Sequence, residues 1–250
     1  MTWQLNENIA TGKVQLAGET TFEITLDASR PGPGIAAVKI GDQQLEGFWQ
    51  EITGNLFASP PEIQELYVRG SDLICHYAEA GVSQLTPTIY WSLKTAKDHR
   101  AVILDIRIAV QTSTLGTQPE TQVQWHWPHG KHRELALSES LIAQLNQKLA
   151  QPLPYLDPAV AENYRFGSIH LEGADVQVMP LVHLSDFAGE QFETSAESQL
   201  LTQNLSLPLL EKGVIRTARV RCLFTPSPLR EETLLQQTLD YFQSLLPLTT

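Results

Sequence analysis

The chain has 250 residues, room for one large β domain or two small ones, and is 42% hydrophobic, enough for a substantial core. No stretch approaches the ~18 consecutive apolar residues of a membrane span, and the start, Met1 to Asn8, has neither the basic cluster nor the apolar run of a secretory signal. A net charge of −11, from 17 basic and 28 acidic residues, argues against nucleic acid and anionic membranes as partners and leaves a neutral ligand such as a sugar open.

In chain order, 13–16 and 21–26 read as a hairpin around Ala17-Gly18-Glu19, with Phe22, Ile24 and Leu26 on one face. The segment Arg30-Pro31-Gly32-Pro33-Gly34 is a turn that no strand passes through. Strands over 35–40 and 44–49 follow, joined at Gly41-Asp42. After a loop at 58–62 come three strands in a row, 66–80, 86–94 and 101–112, with Gly70-Ser71-Asp72 as a break point in the first. The last is the clearest: Val102, Leu104, Ile106, Ile108 and Val110 alternate against Asp105, Arg107 and Gln111. A period of two over that length marks a half-buried antiparallel strand. A further strand over 122–127 ends at Pro128.

The stretch 138–151 has helical spacing, with Leu141, Ile142, Leu145 and Leu149 on one stripe, Ser138 as cap and Pro152 as stop. Strands resume at 169–171, 175–184, 199–207 and 213–224; imperfect alternation in the last suggests a bulge. A C-terminal helix starts at Ser227 and Pro228 and carries Leu235, Leu239, Phe242 and Leu246 on its apolar face. About a dozen strands and two helices predict an all-β, single-domain fold over 1–250: a large antiparallel β-sandwich with short helices packed outside.

Cys75 and Cys222 lie inside apolar strand patterns, and no CxxC is present. They read as buried free thiols, which with the unremarkable N-terminus gives a cytoplasmic expectation. There is no GxGxxG, P-loop, GxSxG or HExxH, so no cofactor is expected and nucleotide enzymes, common serine hydrolases and zincins are disfavoured.

Three groupings carry candidate chemistry. Alternation places Tyr67 with Arg69, Tyr90 with Ser92 and Lys94, and Asp105 with Arg107 and Gln111, with His76 on the same side. If these strands are neighbours, their polar face suits a polyhydroxylated ligand: Arg69, Asp105 and Arg107 hydrogen-bond it, His76 serves as acid or base, and Trp91 or Trp125 stacks on the sugar. The competing reading is a solvated face with cross-strand ion pairs. Second, His126, His129 and His132 recur every three residues after a strand, a spacing with metal-ligand potential. No carboxylate is nearby, and Lys131 repels a cation, so solvent-exposed histidines are the favoured reading. Third, His170, His183, Glu172, Asp175 and Asp186 form an acid/base set if neighbouring strands bring them together.

The strand-turn-strand from Gly34 to Leu45, the segment Tyr67 to Leu73, and Ile89-Tyr90-Trp91-Ser92-Leu93 followed by Leu104-Asp105-Ile106-Arg107-Ile108 resemble the galactose-mutarotase-like group. The resemblance covers the first half of the chain and rests on strand and turn patterns. It implies a large antiparallel β-supersandwich with a carbohydrate on a concave polar sheet face. Aldose epimerases of that group use two histidines and a late glutamate, for which this sequence offers His76, His170 and Glu211 without a surrounding motif. Fold alone does not choose among epimerase, lyase and glycosidase chemistry. A non-catalytic interaction or scaffold domain is the rival class, and it predicts an apolar patch or a pairing edge strand.

Overall fold

Period-two burial marks strands such as Thr21–Asp27, Leu85–Thr95 and Thr121–Pro128, and the strands assemble two antiparallel sheets packed face to face, an all-β sandwich. The computed structural model describes residues 2–29, 32, 34–58, 61–79, 84–96, 100–128, 132–136, 167–171, 176–226 and 231–242. The strands are β1 (Thr2–Asn6), β2 (Ile9–Gln15), β3 (Thr21–Asp27), β4 (Gly34–Ile40), β5 (Gln43–Gln44), β6 (Trp49–Gly54), β7 (Ile63–Arg69), β8 (Asp72–Tyr77), β9 (Leu85–Thr95), β10 (Val102–Thr112), β11 (Thr121–Pro128), β12 (His132–Ala136), β13 (Gly167–Leu171), β14 (Val176–Val182), β15 (Phe187–Thr194), β16 (Ser198–Leu205) and β17 (Arg216–Thr225). One helix, α1 (Glu231–Phe242), follows. The first sheet runs β1-β2-β3-β4-β6-β11-β16-β15, with β5 added beside β4; the second runs β12-β13-β14-β17-β10-β9-β8-β7.

The inward residues of both sheets form one apolar cluster. Phe22, Ile52, Trp125 and Trp127 enter it from the first sheet; Leu73, Cys75, Trp91, Leu104 and Phe224 enter from the second. Phe224 bridges the layers, with ring centroids 5.1 Å from Phe22 and 5.9 Å from Phe48. Each such side chain contributes about 1.5–3 kcal/mol on burial. The sheets are also tied at one edge, where Trp3 Nε1 donates to the Ser71 carbonyl at 3.0 Å. Trp3 lies flat over its register partner Gly12, where a Cβ would come within 2.6 Å of the indole, so only glycine fits beneath it.

Several sequence expectations are met. Gly70 breaks the long predicted strand: its φ of 62° makes the tight turn between β7 and β8. Cys75 and Cys222 are free and buried. Burial raises both thiol pKa values, that of Cys75 to about 12, so neither is a ready nucleophile. No helix among the described residues is long and apolar enough to cross a membrane.

Others are corrected. The strand predicted over 44–49 instead begins at Trp49, because a turn with Gly47 at φ 71° occupies the preceding residues. No bulge interrupts β17, whose register with β10 is continuous from Arg216 to Phe224. The alternation looks irregular because Val214 and Ile215 precede the strand, which begins at Arg216; Leu223, on the outward face, is fully buried in one apolar cluster with Leu239, Tyr241 and Phe242 of α1. The helix predicted over 138–151 lies outside the described residues, as do Ser227, Pro228 and Leu246; α1 itself packs on the outside of the second sheet.

Candidate functional site

The outer face of the second sheet carries two polar rows set by register. Tyr67, Ile74, Tyr90, Arg107 and Arg219 lie side by side across β7, β8, β9, β10 and β17. Arg69, Asp72, Ser92, Asp105 and Arg221 form the next row. Between them is a cleft of ≈ 270 Å³, floored by β8, β9, β10 and β17 and walled on one side by Tyr241 of α1. Tyr90, Ser92, Lys94, Asp105, Arg107, Arg219 and Arg221 all line it.

The charges in this cleft are held in a defined order. Asp105 takes Arg221 through both oxygens, from Nε at 2.6 Å and Nη2 at 3.0 Å, and meets Lys94 Nζ at 2.6 Å. Burial by itself raises the Asp105 pKa, but hydrogen bonds and charge from Arg221, then Lys94, outweigh it and lower the carboxyl below its ordinary range. Arg221 also lies 4.4 Å from the centroid of the Tyr241 ring, so α1 is fastened to the site through a cation–π contact.

Arg219 is fixed from behind the cleft. Its Nε and backbone N–H both donate to Asp186 Oδ2 at 2.9 Å, and Nη2 donates to His183 Nδ1 and Ser185 Oγ, each at 2.7 Å. Since His183 Nδ1 accepts, its proton sits on Nε2, which donates to the Phe242 carbonyl at 3.0 Å. Desolvation, reinforced by the charge of Arg219, lowers the His183 pKa to about 4, so the ring is neutral at pH 7. His183 is therefore a linker between Arg219 and the end of α1.

Arg107 is held differently. Its guanidinium carbon sits 4.0 Å above the centroid of Tyr90, and its buried Nε has no hydrogen-bond partner among the described residues.

The other sequence candidates separate. His76 is half-buried on β8, between Tyr67 Oη at 3.3 Å and Thr88 Oγ1 at 2.9 Å, and does not line the cleft. Arg69 is exposed at the β7 edge, beside Asp72 and outside the lining. Trp91 and Trp125 are fully buried in the core, which removes both as stacking surfaces. The alternation that turns Tyr90 and Ser92 outward necessarily turns Trp91 inward. Asp105 lines the cleft, but both its oxygens are engaged.

His126 stacks on Trp49 at 4.7 Å and directs Nδ1 to the Gly47 carbonyl at 3.0 Å. It lies on β11 of the first sheet, whereas His132 begins β12 of the second; His129 is outside the described residues. Among the described residues no group of three or more His, Cys, Asp or Glu is placed to hold a metal. His183 and Asp186 do meet, through Arg219, while Glu172 and Asp175 lie outside the described residues. His170 on β13 is five strand spacings from His76 on β8, roughly 24 Å. Glu211 is exposed in a loop. The structure does not join these three as an epimerase set.

Sequence reasoning missed Arg219, Arg221, Asp72 and Tyr241 as cleft residues. The pattern Arg219-Val220-Arg221 puts two arginines on one face of a strand, but only strand order sets β17 beside β10. No protein-family model matches the chain, and no curated relative matches it.

Proposed function

We propose that the cleft over β8, β9, β10 and β17 binds a carbohydrate, in keeping with the resemblance to the galactose-mutarotase-like group. The observation that carries the reading is the combination lining one small volume: Tyr90 and Ser92 with their hydroxyls, Lys94 with its ammonium, Arg107 with its guanidinium, and Tyr241 as a wall. Hydroxyl-rich ligands need both donors and acceptors, and tyrosine and serine supply both. At ≈ 270 Å³ the cleft is at the small end of ligand pockets, suited to one sugar ring. The role is recognition; no reaction is assigned, because His76 lies outside the lining. A reducing compartment such as the cytoplasm is the setting we assign, since Cys75 and Cys222 are both free thiols.

A thermal-shift screen against monosaccharides tests the proposal. A ligand at about ten times its Kd stabilises by roughly 1.4 kcal/mol, on the order of 2–4 °C for a chain of this size. A shift with a sugar in the native protein that disappears in Tyr90→Ala supports the reading. A flat response to every sugar contradicts it.

A second reading, protein interaction, is favoured by one observation. Leu115 and Leu209 are 79% and 54% exposed on two loops hydrogen-bonded to each other through Gly116 N–H to the Leu210 carbonyl. Concentration-dependent elution on a sizing column, abolished by Leu115→Ser with Leu209→Ser, supports that reading, and a constant monomer contradicts it.

A further inference from the structure

The cleft concentrates positive charge within a chain of net charge −11. Four cations line it, Lys94, Arg107, Arg219 and Arg221, against two carboxylates, Asp72 and Asp105. Their engagements are unequal. Arg221 and Lys94 share Asp105, and Arg219 is bound to Asp186 behind the cleft. Arg107 rests on the Tyr90 ring, and its Nε is buried without a hydrogen-bond partner among the described residues.

The Arg107 Nε is closed to the cleft, so a ligand meets this guanidinium through its terminal Nη groups. Stacking on Tyr90 occupies a face of the guanidinium plane and leaves its edge free. That edge presents paired N–H groups at the spacing of the two oxygens of a carboxylate. A lysine ammonium would offer only a point charge.

Building on the carbohydrate reading of this cleft, we infer that its ligand is an acidic sugar of the uronic-acid class, whose carboxylate is received by Arg107. The four cations of the lining outnumber its two carboxylates, and Arg107 is the one of the four with no ion-pair partner among the described residues, so an anion is favoured there. The planar fork of a guanidinium suits a carboxylate. The sugar ring then reaches the Tyr90 and Ser92 hydroxyls in the same two rows. Arg219 is not the anchor, since its Nε and Nη2 are already given to Asp186, His183 and Ser185.

Calorimetric titration of the full chain with glucuronate, galacturonate, glucose, galactose and inorganic phosphate tests this, using the native protein, Arg107→Lys and Arg107→Gln. Far-ultraviolet circular dichroism checks that each variant is folded. The expected result is that a uronate binds at least about tenfold more tightly than its neutral counterpart. Arg107→Gln loses that preference, and Arg107→Lys keeps only part of it because it lacks the fork. Equal binding of uronate and neutral sugar, or unchanged uronate affinity in folded Arg107→Gln, overturns the carboxylate assignment and leaves the carbohydrate reading standing. Tighter binding of phosphate than of any uronate also overturns it. No binding of any sugar overturns both.

Discussion

Arg107 on β10 and Tyr90 on β9 are direct register partners, and the guanidinium lies 4.0 Å above the tyrosine ring. Cross-strand pairing thus turns two side chains into one platform at the centre of the cleft. The contact is a cation–π interaction worth about 0.5–2 kcal/mol according to its desolvation. Tyr90→Phe keeps the ring and is expected to unfold within about 0.5 kcal/mol of the native protein. Tyr90→Ala loses ring burial and the cation contact, and a loss of about 2 kcal/mol is expected by urea denaturation.

Asp105 organises the other row. Its two oxygens hold Arg221 and Lys94, and Arg221 in turn faces Tyr241 of α1. Asp105→Asn leaves the poorly exposed Arg221 without its counter-charge. A loss of about 2 kcal/mol is expected, below the 3–5 kcal/mol of a fully buried pair because Asp105 retains a quarter of its side-chain exposure. The sign with pH is fixed: a depressed carboxyl pKa stabilises the fold above the ordinary aspartate value, and that contribution is lost as pH falls through the lowered one. The native protein is therefore expected to lose more stability than Asp105→Asn below pH ~3.9, in paired denaturation curves.

His183 titrates in a different window. Its folded pKa of about 4 lies below the ordinary 6.5, so between those values the unfolded chain binds the proton more readily. Stability rises with pH across that interval and is complete above it. The gradient attributable to this group is on the order of 3 kcal/mol. His183→Gln preserves an acceptor for Arg219 and a donor for the Phe242 carbonyl but does not titrate. Urea midpoints at pH 7 and pH 5 are expected to differ less in the variant than in the native protein.

The two core tryptophans separate hydrogen bonding from packing. Trp125 Nε1 donates to Gln203 Oε1 at 3.0 Å, whereas Trp91 Nε1 is buried without a partner among the described residues. Both substitutions to Phe remove ring volume, but only Trp125→Phe strands a buried acceptor. Trp125→Phe is expected to cost about 1–2 kcal/mol more than Trp91→Phe. Neither change is expected to alter ligand affinity in calorimetry, since both rings face the core.

The outward residues of the cleft were largely legible from alternation alone. Tyr90, Ser92, Lys94, Asp105 and Arg107 fall on one face of β9 and β10 by their period of two, and the register confirms that they meet. The sandwich class was legible for the same reason, as a period-two pattern demands a buried face. Partners distant in sequence were hidden. Arg221 is 116 residues from Asp105, and nothing local in either strand says that β17 lies beside β10. The roles of Asp186 and His183 were hidden likewise, because both act through Arg219. Edge strands β1 and β12 also escaped notice, since one-sided or short strands leave little alternation to read.

The central claim is that ligand binding occurs on the outer face of the second sheet. Titrating galacturonate into isotope-labelled protein and mapping amide chemical-shift changes tests it most directly. The account predicts that the largest changes fall on β9, β10 and β17, around Tyr90, Arg107 and Arg219, and at the Tyr241 end of α1. Changes centred on the first sheet, or none with any of the uronates and neutral sugars tested, would contradict it.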